Sequence, residues 1–242
     1  MAPKITLYTN HGCPYAHRAH ITLRELGLEY EEVIIDLSTP REPWYLEVNP
    51  RGLVPSIKYS DGELKDEIIT ESAIVAQFLA DLNPSHLLPA SNASPTAALT
   101  RARINFFVDT WNTKIGSFMF ALFRAADEGE RQAKAAEWVA AVEKEIEPLL
   151  KDAGPFFGGA QKLTLAEVNI APFLLRIFAL SEAEVLPSSV KAGLLKLPNF
   201  ARWSQATIKE PSVLFIWDEK AVVSRTAERI QKLKLQANGA AK

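Results

Sequence analysis

The amino-acid sequence predicts an α/β domain followed by an all-helical domain, and two patterns lead to this fold class. In the first third of the chain, short segments of β-forming residues alternate with segments of helical periodicity. After a proline-rich stretch no further strand pattern is convincing, and the remaining segments have helical spacing. We therefore predict a first domain over residues 1–84, a linker over residues 85–98 and a helical domain over residues 99–242.

The predicted order within the first domain is β-α-β, a loop and then β-β-α. Because a strand, a crossover helix and a second strand form a right-handed parallel unit, the first two strands should be parallel. Residues 32–37 are apolar enough for a strand buried on both faces, and Asp61-Gly62 is typical of a hairpin turn. The predicted strands cover residues 4–8, 32–37, 56–59 and 63–69, and the two helices begin after Cys13 and at Ser72.

In the second domain, one helix start carries a specific sequence signal. Thr164 can cap a helix, Glu167 three residues later can reach back to it, and Leu163 can pack on Val168. This is the pattern of a capping box with a hydrophobic staple. The predicted helices cover residues 97–126, 130–151, 164–180, 190–195, 199–209 and 220–236.

Composition and charge exclude several classes of protein. The 242 residues are 48% hydrophobic and 23% charged, which is ordinary for a globular chain. A net charge of −2 gives no general attraction to nucleic acid or anionic lipid, and no apolar stretch has the length of a membrane span. One cysteine excludes an internal disulfide and is typical of a reducing compartment. We expect a cytoplasmic protein with a small-molecule substrate and no nucleic acid or membrane partner.

Cys13 is the strongest candidate for a reactive group. Pro14 suits the first position of a helix, which makes Cys13 the predicted N-cap. There, the helix dipole and the free amides of Tyr15 and Ala16 would favour the thiolate, whereas a free thiol is only about 3% ionised at neutral pH. A buried, inert cysteine is the alternative. Ala16 stands where a dithiol oxidoreductase has its second cysteine, so the sequence predicts one-thiol chemistry with an external resolving thiol.

Two further segments could bind parts of a ligand. Glu71 and Ser72 begin the second helix of the first domain, where the helix N-terminus would bind a carboxylate and Glu71 an ammonium group. Such a pair would match the head of an amino acid, although Ser72 could equally be an ordinary N-cap. Val54-Pro55 could be either an ordinary loop step or a cis peptide bond.

Together these motifs resemble the cytosolic glutathione transferases. Residues 49–55 are most similar to the omega-like class, in which cysteine replaces the usual tyrosine or serine. The resemblance implies a thioredoxin-like first domain, glutathione as co-substrate, no metal cofactor and a homodimer. The resemblance extends over the whole chain, because its motifs occur in the same order as in the family. These motifs are Cys13-Pro14-Tyr15, Val54-Pro55, Glu71-Ser72 and Thr164 with Glu167.

The resemblance also implies roles for individual residues. Cys13 would be catalytic and would stabilise the glutathione thiolate or form a mixed disulfide with it. The γ-glutamyl head would bind Glu71 and Ser72, and the Val54 backbone would pair with the cysteinyl residue if Pro55 is cis. Arg41 stands where the omega class has a lysine near the glycyl end. The implied glutathione-binding residues are Pro14, Tyr15, Arg41, Val54, Pro55, Glu71 and Ser72.

The chain departs from the family's pattern at two places, and its second substrate is not encoded in a clear motif. Glu167 replaces the usual aspartate of the cap, and residues 61–70 form a longer segment than usual. A second-substrate pocket between the domains could be lined by Trp111, Lys114, Ile115 and Phe118, which share a helical face. Aromatic residues at this spacing are, however, more often part of the core.

Three functions remain open at the level of sequence. The first is an enzyme, a glutathione-dependent thiol transferase that reduces mixed disulfides or dehydroascorbate-like substrates through Cys13. The second is a transferase that conjugates glutathione to electrophiles, with Tyr8 or another hydroxyl activating the thiol. The third is a non-catalytic binding module of the same fold. We rank them in this order because a binding module need not retain a thiol at the start of its first helix.

Overall fold

The structure, a computed structural model that describes residues 3–240, confirms the predicted fold class. A four-stranded mixed sheet comes first, and helices make up the rest. The strands are β1 (Lys4–Thr9), β2 (Glu31–Ile34), β3 (Ser56–Ser60) and β4 (Glu67–Thr70). The helices are α1 (Pro14–Glu25), α2 (Pro43–Val48), α3 (Ser72–Leu82), α4 (Ala97–Thr110), α5 (Phe118–Phe123), α6 (Glu128–Glu145), α7 (Leu165–Glu182), α8 (Ser188–Leu194), α9 (Pro198–Thr207), α10 (Pro211–Leu214) and α11 (Glu219–Ala240).

The chain divides into two compact units by its internal contacts. Unit 1 contains the sheet, continues to Arg101 and includes two later segments, Lys162–Pro172 and Glu210–Trp217. Unit 2 contains Ala102–Gln161, Phe173–Lys209 and the chain from Asp218 onward. The start of α7 and all of α10 therefore pack with the sheet-containing unit. The domain boundaries drawn from the sequence, at residues 84 and 99, stay a prediction.

The register of the sheet brings four chain segments to one edge. β1 and β2 are parallel, as predicted, and Thr9 pairs with Ile34 at their carboxyl ends. β3 runs antiparallel to both β1 and β4, and its first residue, Ser56, pairs with Tyr8 and with Thr70. Because Ser56 begins β3, the segment before it lies at the same edge as the ends of the other three strands. We call this edge the carboxyl edge of β1.

β2 corrects one prediction from the sequence. The strand covers Glu31–Ile34 rather than residues 32–37, and three of its four residues are exposed, with Ile34 at 56%. The predicted burial on both faces is wrong because the strand order is β2-β1-β3-β4, which places β2 at the border of the sheet. The apolar run is explained in part by Ile35, which follows the strand and is 5% exposed.

The hairpin between β3 and β4 is confirmed, but its turn is longer than the predicted Asp61-Gly62 step. Residues 61–66 connect the strands, and β4 begins four residues later than the predicted strand. The Asp61 carboxylate accepts hydrogen bonds from the amides of Glu63 and Leu64 at 2.8 and 2.7 Å. Asp61 therefore orders the loop through its side chain, as aspartate does in many turns.

A compact apolar core holds α1 and α3 to the sheet. Leu7 of β1, Leu23 of α1, Ile57 of β3 and Leu79 of α3 belong to one cluster and are all 0% exposed. Full burial of an aliphatic side chain of this size stabilises a fold by roughly 1.5–3 kcal/mol. This core fixes the strand end that precedes Cys13 and the start of α3 that carries Ser72.

The helices of the chain follow the predicted segments, with two breaks and two additions. The predicted helix over residues 130–151 ends at Glu145 and is followed by a 3-10 turn over Glu147–Leu150. The predicted helix over residues 97–126 is interrupted, because a π-helical turn at Trp111–Ile115 separates α4 from α5. The short helices α2 and α10 were not predicted, and each has a proline in its first turn. Within residues 3–240, none of the helices combines the length and apolar character needed to cross a bilayer.

The capping box at α7 is confirmed. Glu167 is fully buried and accepts hydrogen bonds from the Thr164 amide at 2.8 Å and from the Thr164 hydroxyl at 2.7 Å. The Thr164 hydroxyl oxygen accepts a hydrogen bond from the Ala166 amide at 3.1 Å. Leu163 and Val168, the residues of the predicted staple, are 1% and 0% exposed. The longer Glu167 side chain therefore closes the cap where the family usually has aspartate.

Candidate active site

Cys13 lies at the carboxyl edge of β1 as the N-cap of α1. Its backbone is extended (φ −85°, ψ 122°), Pro14 follows at the first helical position, and the His17 amide donates to the Cys13 carbonyl at 3.1 Å. Among the described residues, its side chain makes no cap hydrogen bond. The thiol instead donates to the Val54 carbonyl, with Sγ 3.9 Å from the oxygen. The predicted bonds from the Tyr15 and Ala16 amides to sulfur are therefore not formed by the thiol in this structure.

The turn before Cys13 is held by Asn10. The Asn10 side-chain oxygen accepts from the Gly12 amide at 3.0 Å, and its main-chain carbonyl accepts from the Cys13 amide at 3.0 Å. Its side-chain amide donates to the Ile35 carbonyl at 2.9 Å, which ties the turn to the end of β2. The sequence analysis missed Asn10, although an asparagine directly after a strand and two residues before a glycine is a signal for such a turn.

Cys13 packs against an aromatic and aliphatic cluster and is itself only partly buried. The cluster includes Tyr8, Tyr45 and Val54, which are 7%, 1% and 7% exposed. The Tyr8 ring lies 5.7 Å from the Tyr45 ring and 6.2 Å from the Trp44 ring, measured between centroids. The partial exposure of Cys13 does not match the alternative of a buried, inert cysteine.

Val54-Pro55 is a cis peptide bond, which decides between the two alternatives left open by the sequence. The loop before it is fixed by Tyr45, whose hydroxyl donates to the Leu53 carbonyl at 2.5 Å, and by Asn49, whose side-chain amide donates to the same carbonyl at 2.9 Å. The sheet register then places Val54 beside the turn that carries Cys13. This backbone is the part of the site that could pair with an extended ligand.

Glu71 and Ser72 lie at the same edge, between β4 and α3. Glu71 has φ 67° and ψ 116°, a region that residues with a side chain adopt only when their surroundings impose it. Its carboxylate pairs with Arg51 at 2.5 Å, and both side chains are largely exposed. Exposed ion pairs contribute little free energy, about 0–1 kcal/mol, so a ligand ammonium group could replace Arg51.

Ser72 is 7% exposed and its hydroxyl oxygen accepts a hydrogen bond from Arg18 Nη1 at 3.1 Å. The serine therefore serves a buried contact as well as beginning α3. The N-cap of α3 is Glu71, and in the part of the chain that the structure describes the helix start has no side-chain cap hydrogen bond, so the ordinary N-cap predicted at Ser72 is not formed. The alternative role of Ser72 in binding a ligand carboxylate stays a prediction.

Arg18 is a buried cation that the sequence analysis missed. It is 2% exposed, its Nε donates to the Asn169 carbonyl at 2.8 Å, and its guanidinium lies 5.3 Å from the Tyr15 ring centre. Burial lowers the pKa of Arg18 to about 10, while the negative forms of Tyr15 and Cys13 act in the opposite direction. Arg18 therefore stays charged at neutral pH. Nothing in the sequence marks one arginine of α1 as buried.

Arg41 is engaged by its own loop. Its Nε donates to the Gly52 carbonyl at 2.9 Å, and its Nη1 donates to the carbonyls of Asp36 and Thr39 at 2.9 and 2.6 Å. Gly52 has φ 61°, and a Cβ atom there would lie 2.9 Å from the Arg41 side chain. Arg41 therefore closes the loop after β2, and its predicted contact with a glycyl carboxylate stays a prediction.

The predicted second-substrate residues lie in unit 2. Trp111 and Ile115 are 2% and 1% exposed, Lys114 is exposed, and Phe118 stacks on Trp138 with 6.1 Å between ring centres. A separate cavity of about 650 Å³ in this unit is lined by α4 and by residues 148–158, and includes Phe106 and Phe157. The second-substrate assignment stays a prediction.

A cluster of two histidines and a glutamate lies next to the turn that carries Cys13. His11 Nε2 is 2.6 Å and His20 Nε2 is 3.5 Å from Glu32 Oε1. His20 is buried, and burial lowers its pKa to about 4 despite the opposing charge of Glu32. The neutral imidazole is held by the Thr9 hydroxyl at 2.8 Å and the Tyr30 hydroxyl at 3.0 Å.

Comparisons with known proteins found similar sequences and similar solved structures. The family model described as "Glutathione S-transferase, N-terminal domain" matches residues 12–82. The crystal structure of glutathione transferase Omega 2C from Trametes versicolor is 30% identical, with a TM-score of 0.79, and the match covers 94% of this chain and 99% of that one. Glutathione S-transferase omega-1 from Sus scrofa is 28% identical over 86% of this chain and 78% of its own length. Glutathione S-transferase DHAR2 from Arabidopsis thaliana is 25% identical over 86% of this chain and 90% of its own length.

Proposed function

Because the chain belongs to the glutathione transferase family, in its omega-like class, we propose that it is a thiol transferase that reduces disulfides of glutathione through Cys13. The observation that carries this proposal is a single, partly exposed thiol at the N-terminus of α1, beside the Val54 backbone. The chain has no other cysteine that could resolve an intermediate. The reductant must therefore be an external thiol, and glutathione supplies it.

The reaction proceeds in two exchange steps. The Cys13 thiolate attacks the glutathionyl sulfur of a mixed disulfide R–S–S–G, which forms a Cys13–S–S–G bond and releases R–S⁻, which takes up a proton. The thiolate of a second glutathione then attacks the glutathionyl sulfur of this intermediate. Oxidised glutathione leaves and the Cys13 thiolate is regenerated, so that one R–S–S–G and one glutathione give one R–SH and one oxidised glutathione.

The thiolate is stabilised by the start of α1 and by Arg18. The amides of the first turn of α1 point out of the helix end, and they carry the positive end of the helix dipole. The thiol in the structure donates to the Val54 carbonyl; a thiolate has no proton to donate and turns toward these amides instead. The buried Arg18 charge acts in the same direction.

The carboxyl edge of β1 matches the three parts of glutathione. The Val54 backbone, before the cis Pro55, pairs with the cysteinyl residue and keeps its sulfur next to Cys13. Glu71 exchanges Arg51 for the γ-glutamyl ammonium group, and the carboxylate of that group approaches the start of α3 at Ser72. We assign Pro14 and Tyr15, which follow Cys13, to the surface around the sulfur, and Arg41 to the glycyl end of glutathione.

Intact-mass analysis with paired variants tests the proposal. Incubation of the reduced protein with oxidised glutathione should add one glutathionyl group, and the adduct should be absent from Cys13→Ser and Cys13→Ala. The same variants should lose reduction of a small glutathione mixed disulfide. Retained turnover in Cys13→Ala, or an adduct on a protein without Cys13, would reject the mechanism.

A conjugating transferase is the second candidate, because Tyr8 lies in the same cluster as Cys13 and could activate glutathione through its hydroxyl. In that case Cys13→Ser should keep or raise conjugation of glutathione to a chloronitrobenzene, and Tyr8→Phe should abolish it. If Tyr8→Phe leaves both activities unchanged, the second candidate is rejected while the first stands.

The finer expectations on assembly and location are part of the proposal. A cytoplasmic location is supported by the single cysteine, which is typical of a reducing compartment. A homodimer is supported by exposed apolar side chains such as Ile74 and Leu99, which are 57% and 52% exposed. Light scattering on the eluting peak of a sizing column should give twice the chain mass of 26.8 kDa. A mass equal to one chain would reject the dimer.

A further inference from the structure

Three metal-ligating side chains converge next to the turn that carries Cys13. Among the residues that the structure describes, His11, His20 and Glu32 form the one cluster in which three such groups offer ligand atoms within 4.8 Å of one another. The three come from different parts of unit 1: the turn after β1, the middle of α1, and β2. We infer that this cluster, which we call the His11–His20–Glu32 site, binds a zinc ion.

The spacing of the ligand atoms fits tetrahedral coordination after a small adjustment. Zinc bonds of 2.0–2.1 Å place neighbouring ligand atoms about 3.3 Å apart in a tetrahedron. Glu32 Oε1 and His20 Nε2 are already 3.5 Å apart. Glu32 Oε1 and His11 Nε2 are 2.6 Å apart and must separate by a fraction of an ångström, when the ion replaces the hydrogen-bonded proton between them.

The buried ligand is already oriented by its neighbours. Tyr30 lies 3.0 Å from His20 Nδ1, so Nδ1–H can donate to the Tyr30 hydroxyl, and the Nε2 lone pair then accepts a hydrogen bond from the Thr9 hydroxyl. A histidine ligand typically donates its second ring nitrogen in this way. Thr9, whose hydroxyl is 2.8 Å from His20 Nε2, gives up that hydrogen bond when the ion binds.

The other two ligands are accessible from solvent. The His11 and Glu32 side chains are 47% and 32% exposed, whereas the His20 side chain is fully buried. The site is therefore open on the side of His11, where water completes the coordination. Two imidazoles with one carboxylate are a ligand set found in zinc proteins, and they favour this ion over magnesium or calcium, which prefer oxygen ligands.

Occupation would restrain the turn of the active site. His11 is two residues before Cys13, and the ion would link this turn to β2 through Glu32 and to α1 through His20. Zinc would then add to the connection that Asn10 already makes with the end of β2. The site contains none of the residues assigned to glutathione, so the inference stands or falls independently of the proposed function.

The test is zinc titration of tag-free protein in a Cys13→Ser background, because the lone thiol is the obvious competing ligand. Isothermal titration with zinc chloride, repeated in competition with a chromophoric chelator, should give a stoichiometry of one ion per chain. A thermal melt of the zinc-loaded protein should show a higher melting temperature than that of the metal-free protein. His11→Gln and Glu32→Gln should each weaken zinc affinity at least tenfold. In the absence of metal, both variants should melt at temperatures close to that of the parent.

His86→Gln is the matched control. His86 pairs with Glu25 at 2.7 Å in a similar histidine–carboxylate contact, and within residues 3–240 no third ligand group joins the pair, so its replacement should leave zinc affinity unchanged. The inference is overturned if the Cys13→Ser protein shows no saturable binding, if His11→Gln and Glu32→Gln bind zinc like their parent, or if His86→Gln weakens binding as much as they do.

Discussion

Replacement of Thr164 by valine tests how much the capping box at α7 contributes to stability. Valine keeps the shape of the buried side chain but removes its hydroxyl. The Ala166 amide then loses its acceptor at 3.1 Å, and the buried Glu167 carboxylate loses its donor at 2.7 Å. The main-chain hydrogen bond from the Thr164 amide to Glu167 remains.

The expected loss follows from these two contacts. Removal of an N-cap costs about 1 kcal/mol, and loss of one hydrogen bond to a buried charged group costs about 1.5–3 kcal/mol. The free energy of unfolding should therefore fall by about 3 kcal/mol. For a chain of this size, that corresponds to a decrease of roughly 6–12 °C in melting temperature.

Thr113→Val provides the matched comparison, because Thr113 is exposed and its hydroxyl donates only to the Asp109 carbonyl at 2.8 Å. Its effect should stay within about 0.5 kcal/mol. Both variants are measured by urea unfolding, followed by circular dichroism, and by thermal melting. If Thr164→Val is no more destabilising than Thr113→Val, the buried cap does not contribute the free energy assigned to it.

Three further predictions concern other charged groups of unit 1. Glu71→Gln should raise KM for glutathione roughly tenfold or more, because the γ-glutamyl ammonium group loses a charged hydrogen bond, whereas Arg51→Gln should leave KM nearly unchanged. If steady-state kinetics show the same change in KM for both variants, the γ-glutamyl head does not bind Glu71. Arg18→Met should slow alkylation of Cys13 at neutral pH severalfold, whereas Arg18→Lys, which keeps the charge, should retain more of the rate; indistinguishable rates would exclude an electrostatic role for Arg18. Burial, together with the charge of Glu25, raises the pKa of Glu210 above 4.5, so the folded state binds the proton more tightly and stability falls as the pH rises above that value. Glu210→Gln should therefore raise the melting temperature at pH 7 and not below pH 4, and a gain that does not depend on pH would contradict this.

Local signals in the sequence predicted the parts of the fold and site that depend on neighbouring residues. Pro14 after Cys13 predicted the N-cap, Thr164 and Glu167 predicted the start of α7, and Ser72 predicted the start of α3. Each of these features is decided within one helical turn. For this reason the order of elements and the position of the thiol could be predicted without a structure.

Features that depend on distant parts of the chain could not be predicted in the same way. The burial of residues 32–37 was overestimated because the pattern of one strand does not reveal its position in the sheet. Arg18 was missed because its partners, Ser72 and the Asn169 carbonyl, are 54 and 151 residues away in the chain. The role of Arg41 in its own loop depends likewise on Gly52, which only the folded loop brings close.

The composition of unit 1 has a consequence for synthesis of the chain on the ribosome. Two buried side chains of α1 are satisfied from much later segments, His17 by the Val213 carbonyl at 2.9 Å and Arg18 by the Asn169 carbonyl at 2.8 Å. A nascent fragment that ends at Arg101 contains every strand but lacks both acceptors. The sheet and Cys13 are thus translated early and completed late, because a fragment cut at the predicted linker would leave two buried side chains of α1 without these acceptors.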